Sequence, residues 1–254
     1  MRRLAMKFFP LSRISSTVAV FFSLIFSTGA VAIDVVATSS PPIIDGVNNE
    51  TQWQKATWLP IDQVILGGPL SKQDFQGRYR LLWDADKLYL QVEIVDDRLV
   101  DFNADPLDKY WDDDTLEIFI DEDASGGNHQ YSYNAFAYHI ALDNQVVDIT
   151  PEGTFALFNE HIESRWKRDI KGPHKIIWEA AISLYGDDFD PSKANTPKGL
   201  VKGKKIGFML AYCDNDNSET REHFIGSKDV KAVNGDKNRG WIDASVFDTL
   251  ILGE

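Results

Sequence analysis

Alternation of apolar and polar positions marks strands along most of this chain. In the run 115–121, Leu116, Ile118 and Ile120 are separated by single residues of other types. A period of two is typical of a strand with one buried face. The same pattern predicts strands at 145–149, 163–170, 176–182, 206–213, 221–225 and 249–252.

Two further runs are longer. Residues 78–83 and 88–94 alternate on either side of the turn 84–87 and predict an antiparallel hairpin. Residues 129–140 predict one long strand with an aromatic face. Trp53 and Ala56, three positions apart, indicate a single helical turn that buries Trp53.

Short strands separated by turn residues, few helical stretches and no strand-helix-strand rhythm predict an all-β fold. We expect a two-sheet antiparallel β-sandwich of jelly-roll or immunoglobulin type. Neither an internal repeat nor a second zone of composition interrupts the sequence. Residues 33–254 are therefore predicted to form one domain, with 187–205 as a surface loop.

The first 32 residues have the pattern of a signal peptide. Four basic residues precede the apolar run 18–26, and Ala30-Val31-Ala32 offers a cleavage site. The apolar run is shorter than the roughly 20 residues of a membrane-spanning helix. We therefore predict an exported protein, periplasmic or secreted, without stable membrane insertion after cleavage; an uncleaved anchor is the alternative.

The net charge of the predicted mature chain limits the kinds of partner that it could bind. Loss of residues 1–32 removes four basic residues and no acidic one, which leaves 22 basic against 39 acidic residues. Such a negative field repels phosphate backbones, so we expect no nucleic-acid partner.

The lone Cys213 cannot form an internal disulfide and is predicted to be a buried apolar side chain. We expect a monomer.

Acidic residues surround Trp111 and suggest either glycoside hydrolysis or calcium binding. Asp113 or Glu117 could serve as carboxylates of a glycoside hydrolase, which needs two across one bond. Such clusters in acidic proteins are more often solvated loops or calcium ligands. The segment 214–218 also offers oxygen ligands at alternate positions, but it lacks the glycine and the final acid of an EF-hand. Hydrolase-elbow, zinc and phosphate-loop motifs are absent from the sequence.

An ordered set of short motifs resembles the family 9 carbohydrate-binding modules over essentially the whole of residues 33–254. The motifs are Ile44-Asp45-Gly46, Trp53-x-x-Ala56, Leu81-Leu82-Trp83-Asp84, Leu88-Tyr89-Leu90, the run 111–121, Glu179-Ala180-Ala181-Ile182, Ile206-Gly207-Phe208, Trp241-Ile242-Asp243 and Phe247-x-x-Leu250-x-Leu252. The resemblance implies a β-sandwich that binds mono- or oligosaccharides, or polysaccharide ends, without catalysis.

The resemblance also implies site residues. In the family one sugar ring, in the best-known members at a reducing end, is held between two tryptophans. These match Trp111 and Trp241, and the faces of a pyranose suit indole rings. A polar sugar contact of the family matches Glu117. Amide contacts match Asn134 and Asn238, and Arg239 lies in the same loop as Asn238.

This chain departs from the family pattern at two polar positions, where Ser132 and Ala211 replace an Arg and a Gln. Tyr131, Tyr133 or Arg239 could compensate. The family's structural calcium, which sugar binding does not require, makes several acids candidate ligands: Asp112, Asp114, Asp214 and Asp216.

A haem-binding redox domain of the DOMON type is the alternative function, because it shares a similar sandwich. Its axial ligands are a methionine and a histidine. Met209 is the only methionine after residue 32, and the histidines are His129, His139, His161, His174 and His223. A lone methionine in a strand is more often part of a core.

Overall fold

A computed structural model describes residues 32–169 and 171–254. The predicted signal peptide lies outside these residues, apart from Ala32. The strands are β1 (Ile33–Ala37), β2 (Leu59–Ile61), β3 (Gln63–Leu66), β4 (Phe75–Trp83), β5 (Leu88–Asp96), β6 (Thr115–Asp121), β7 (Phe136–Ala141), β8 (Val146–Ile149), β9 (Phe155–Leu157), β10 (Ile162–Arg168), β11 (Lys175–Ile182), β12 (Lys205–Asp214), β13 (His223–Gly226) and β14 (Asp248–Leu252). Two 3-10 helices cover Thr51–Lys55 and Ala244–Val246.

The strands form two layers of a β-sandwich, as predicted. One layer has the order β10-β11-β5-β4 with β2 on the far side of β4; the other has the order β14-β12-β6-β7-β8-β9, with β13 beside β12 and β3 beside β13. β1 joins the layers, since residues 33–35 pair with β14 and residues 36–37 with β4, both in parallel. The remaining pairings are antiparallel, so β1 makes the fold mixed rather than purely antiparallel.

The core lies between the two layers. Leu116, Ile118 and Ile120 of β6 face it together with Trp178 and Phe208 from β11 and β12. The predicted period of two is therefore correct for β6. The intervening residues are nevertheless buried, because loops cover the outer face of this layer, where Phe119, Met209 and Cys213 form a second apolar cluster.

An N-terminal segment covers the outer face of the first layer. The predicted turn is the 3-10 helix Thr51–Lys55, and its Trp53 is fully buried. Glu179 on β11 accepts hydrogen bonds from Trp53 Nε1 at 3.2 Å and from the backbone nitrogens of Asp45 and Gly46 at 3.1 and 3.0 Å. The Ile-Asp-Gly and Trp-x-x-Ala motifs thus anchor this segment to the sheet.

The prediction of one strand over 129–140 is wrong in its first half, since β7 begins at Phe136. The reason is a competing set of hydrogen bonds around His129, whose ring nitrogens lie 3.2 Å from Ala135 O and 2.8 Å from Gly240 O. These contacts fold the preceding residues into turns. Within residues 32–169 and 171–254, the helices are too short and too polar to cross a membrane.

Candidate functional site

Trp111 and Trp241, 130 positions apart in the chain, line the same cavity on the outer face of the second layer. The cavity has a volume of about 340 Å³. Its wall consists of Tyr110, Trp111, Glu117, Tyr131, Ala137, His139, Asp148, Ile149, Phe155, Arg221, Asn238 and Trp241. Aromatic rings form the sides, and titratable side chains from β6, β7 and β8 lie at the floor.

The loop before β6 positions Trp111. The acids of this loop accept hydrogen bonds from the backbone. Asp113 accepts one from Phe102 N at 3.0 Å and one from Asn103 N at 2.8 Å. Asn215 holds the same loop by donating to Asp112 O at 2.6 Å. Hydrogen bonds therefore fix the loop that carries Trp111. The aspartates of this loop stabilise its conformation and are not among the residues that line the cavity.

A glycine positions Trp241. A Cβ at Gly240 would lie 2.5 Å from the methyl of Met209 and 2.8 Å from the Phe119 ring, so a larger residue would collide with the sheet. Trp241 packs against the second apolar cluster as a result of this close approach. The position of Trp241 in the cavity wall therefore depends on glycine at position 240, which has no side chain.

A charged network forms the floor. Glu117 Oε1 lies 2.7 Å from His139 Nε2 and 3.0 Å from Arg221 Nη1, and it also accepts from the Cys213 thiol at 3.0 Å. Although burial raises the pKa of Glu117, the neighbouring His139 and Arg221 outweigh that effect and lower its pKa below the ordinary value. Glu117 is therefore an anion, and all three groups act on its Oε1.

Asp148 on β8 is a second carboxyl group at the cavity. Its oxygens accept from Ala137 N at 2.8 Å and Ile149 N at 2.7 Å. Burial raises its pKa to about 6, against the effect of those hydrogen bonds. Tyr110 and Phe155 close the adjoining wall, with ring centroids 5.1 Å apart.

The predicted site residues are only partly brought together. Glu117 and Asn238 join the two tryptophans at the cavity. Asn134 and Arg239 are not among its lining residues, and the Asn134 amide instead donates to Gly126 O at 2.9 Å.

Sequence reasoning missed several lining residues. Arg221 and His139 lie at the floor beside Glu117, and no local motif marks them. His139 lies opposite Glu117 in the register of β6 and β7, which a correct start for β7 would have revealed. Tyr131, named as a compensating residue, does line the cavity and is 53 % exposed, whereas Tyr133 packs on Phe136.

The residues named for a haem site have other contacts. Met209 is 1 % exposed and packs in the second apolar cluster, which fits the core interpretation. His139 and His161 are bound to Glu117 and Tyr138 respectively.

A buried acidic cluster lies away from the cavity, between the ends of β5, β6 and β12. Oxygens of Asp96, Asp114 and Asp214 lie within 4.8 Å of one another, and the residues are 0–1 % exposed. Burial, followed by the neighbouring carboxylates, raises the pKa of Asp114 to about 9 and that of Asp214 to about 8. Adjacent to it, Asp216 forms a more exposed group with Asp74 and Asp97.

This arrangement fits a hard divalent cation, because calcium prefers several carboxylate oxygens and would offset their repulsion. Three of the four acids named from the sequence belong to the two groups. Asp112 does not, because its carboxylate accepts from Arg221 N at 3.3 Å.

Comparison with known proteins assigns the fold to a family. The family described as "Carbohydrate family 9 binding domain-like" matches residues 44–254, and the chain belongs to it. A carbohydrate binding module of family 9 from Caldicellulosiruptor kristjanssonii has a similar structure. Its complex with cellotriose superposes with a TM-score of 0.64 at 20 % identity, over 87 % of this chain and 93 % of the module. Its glucose complex gives 0.63 at 20 % identity, over 87 % and 96 %.

Two xylanases named endo-1,4-beta-xylanase A match part of the chain. Identity over 101 residues is 31 % for the Thermotoga neapolitana enzyme and 34 % for that of Thermotoga maritima. Each match covers 39 % of this chain and only 8 % of the enzyme. The similarity concerns a small part of those enzymes.

Proposed function

We propose that this protein is an exported, non-catalytic carbohydrate-binding domain in which Trp111 and Trp241 hold one sugar ring. The observation that carries the proposal is that both indoles line one cavity with a charged floor. The cavity volume of about 340 Å³ is at the small end of ligand sites and suits one or two sugar rings.

The chemistry of the wall supports a sugar as ligand. A pyranose has apolar C–H faces that pack on indole and a rim of hydroxyls that need hydrogen-bond partners. Glu117 would accept at the rim, while Asn238 and Arg221 would donate. The related module's complexes with glucose and cellotriose favour glucose-containing ligands.

The non-catalytic part of the proposal rests on the position of the acids. Asp113, one of the two acids considered for hydrolysis, is bound to two backbone nitrogens away from the cavity. Glu117 is bound by three donors at one oxygen. Incubation with a panel of glycans should release no reducing sugar.

Export rests on the signal-peptide pattern of residues 1–32 and is tested by locating the mature N-terminus at Ile33.

Calorimetric titration with glucose and cellotriose tests the site. Trp111→Ala and Trp241→Ala should each weaken binding at least about tenfold, a loss of roughly 1.4 kcal/mol. Trp58→Ala is the matched control, because Trp58 is also partly buried but packs between Arg78 and Arg80, away from the cavity wall. Equal heats for the wild type and both cavity variants would refute the proposed site.

We also propose a structural calcium ion at Asp96, Asp114 and Asp214. Its support is the close approach of three buried carboxylates, whose one side-chain ion-pair contact within residues 32–169 and 171–254 is that of Asp214 with the His223 ring at 3.2 Å. Calcium there would stabilise the junction of β5, β6 and β12 without contacting the sugar.

A further inference from the structure

Tyr131 lies at the opening of the cavity. Its side chain is 53 % exposed, whereas the other residues that line the cavity are buried or half-buried. The exposed member of a cavity wall marks the side on which the cavity meets solvent. A ligand longer than the cavity would therefore extend towards the Tyr131 ring.

The ring of Tyr131 is not used in the core. A single exposed aromatic side chain is common on protein surfaces and does not by itself mark a ligand site. Two positions later, Tyr133 stacks on Phe136 with ring centroids 5.5 Å apart and contacts Phe189 at 5.0 Å. In the part of the chain that the structure describes, Tyr131 has no such ring partner. Its ring is therefore available to a ligand at the cavity.

Hydrogen bonds fix the backbone that carries Tyr131. Ser132 N donates to His129 O at 3.0 Å, which closes the turn around Tyr131. His129 N in turn donates to Ile242 O at 2.9 Å, next to Trp241. The turn is thus tied to the segment that forms one wall of the cavity. A tyrosine on a fixed backbone has few rotatable bonds left to order, so it loses little conformational entropy on binding.

The turn between β8 and β9 lies against the other side of the ring. A Cβ at Gly153 would be 3.7 Å from Cε1 of Tyr131. Gly153 is itself held in this turn, because its N donates to Thr150 O at 2.8 Å. The same hairpin carries Phe155 of the cavity wall. Tyr131 therefore lies where the wall of Trp241 meets the wall of Phe155.

We propose that Tyr131 is the platform for a second sugar ring, next to the ring held between Trp111 and Trp241. The ligand is then an oligosaccharide or a polysaccharide end, and a monosaccharide fills only part of the site. The apolar face of a pyranose packs on the phenol ring, and the phenol hydroxyl reaches the hydroxyls at its rim. This inference rests on the proposed function, because a second ring needs a first ring between the tryptophans.

Calorimetric titration with glucose and with cellotriose tests the platform. The wild type should bind cellotriose more tightly than glucose. Tyr131→Ala should weaken cellotriose binding about fivefold and leave glucose binding unchanged, since only the longer ligand reaches the ring. Tyr131→Phe should keep most of the cellotriose affinity, because the ring remains.

Phe102→Ala is the matched control. Its side chain is an exposed aromatic ring, 60 % accessible, that is not among the residues lining the cavity. The hydrogen bond from position 102 to Asp113 uses the backbone nitrogen, which alanine retains. Phe102→Ala should therefore bind both sugars as the wild type does. Both alanine variants should also keep the wild-type Tm, because each removes an exposed side chain.

The pair of ligands separates failure of this inference from failure of the proposed function. Unchanged cellotriose affinity in Tyr131→Ala would overturn the second-ring platform and leave the tryptophan site intact. An equal loss for glucose and cellotriose would overturn it as well, because Tyr131 would then contact the first ring. If the wild type binds neither sugar, the proposed function and this inference are both wrong.

Discussion

Arg221 Nη1 donates to Glu117 Oε1 at 3.0 Å at the floor of the cavity, and the two side chains are only 11 % and 3 % exposed. Arg221 comes from the turn before β13 and Glu117 from the middle of β6. The pair therefore links two parts of the sheet that lie 104 positions apart in the chain. All of the contacts that the described residues make with this carboxylate are on Oε1.

We predict that Glu117→Gln destabilises the protein and abolishes binding of glucose. Removing one member of a buried ion pair leaves the other charge uncompensated, at a cost of about 3–5 kcal/mol. Urea unfolding measures the loss, and calorimetry the binding. Glu93→Gln is the control, since Glu93 pairs with the more exposed Arg78 and should lose less than about 1 kcal/mol. Equal losses of unfolding free energy in Glu117→Gln and Glu93→Gln would contradict the importance of the ion pair between Glu117 and Arg221.

Calcium should stabilise the protein more at pH 8 than at pH 5. The pKa values of Asp114 and Asp214 are raised to about 9 and 8, so in this pH range the folded state binds more protons than the unfolded state. Without metal, that stabilisation is complete below about pH 4 and is lost as pH rises through the folded pKa values. Calcium competes with those protons and replaces them at higher pH.

Thermal unfolding with calcium or chelator at the two pH values measures this effect. At 100 times the dissociation constant the ion contributes about 2.7 kcal/mol. That corresponds to a rise in Tm of about 5–10 °C for a domain of this size. Asp114→Asn should reduce the calcium response. A response that is larger at pH 5 would contradict the proposed ligands.

His161 should make the protein sensitive to acid. Burial lowers its pKa to about 4, and its Nδ1 lies 2.7 Å from the Tyr138 hydroxyl. The unfolded state, with a pKa near 6.5, binds the proton first as pH falls. The associated stability is complete above about pH 6.5 and is lost towards pH 4, with a size on the order of 3 kcal/mol.

His161→Gln tests this, because glutamine can accept from Tyr138 and does not titrate. Unfolding free energies at pH 7 and pH 4.5 should differ less in this variant than in the wild type. The exposed His174→Asn serves as control; a pH dependence shared by all three proteins would assign the acid effect to other groups.

Glu179→Ala should release the N-terminal segment. The carboxylate accepts from Gln91 Nε2 at 2.9 Å in addition to its bonds with Trp53, Asp45 and Gly46. Several buried donors would lose their partner, which costs at least about 3 kcal/mol. Limited proteolysis should then cut within 38–56. Glu163→Ala on the neighbouring strand is exposed and should leave cleavage unchanged; cleavage equal to that control would refute the anchor.

The sequence was sufficient for the strands whose pattern is set by one buried face. β6, β11, β12 and the hairpin of β4 and β5 lie within one or two residues of their predicted positions, except that β4 begins at Phe75. The run 129–140 could not be read correctly, because His129 bonds to Gly240, 111 positions later. Such a contact has no local signal.

The residues of the candidate site were also only partly predictable from the sequence. Trp111 and Trp241 were recognisable as site residues only because each stands in a motif that resembles the family, since a tryptophan by itself is more often part of a core. Asn134 was placed at the sugar from its motif position, yet its amide is bound to Gly126.

The sequence alone determined the alternation that buries one face of each strand, the excess of acids, and the two tryptophan motifs. These are local properties, since periodicity and composition follow directly from neighbouring residues. The tertiary structure decided that both tryptophans share a cavity, that Arg221 and His139 join Glu117 at its floor, and that Asp96 meets Asp114 and Asp214. Such encounters depend on strand order and register, which bring side chains from different strands and loops into contact.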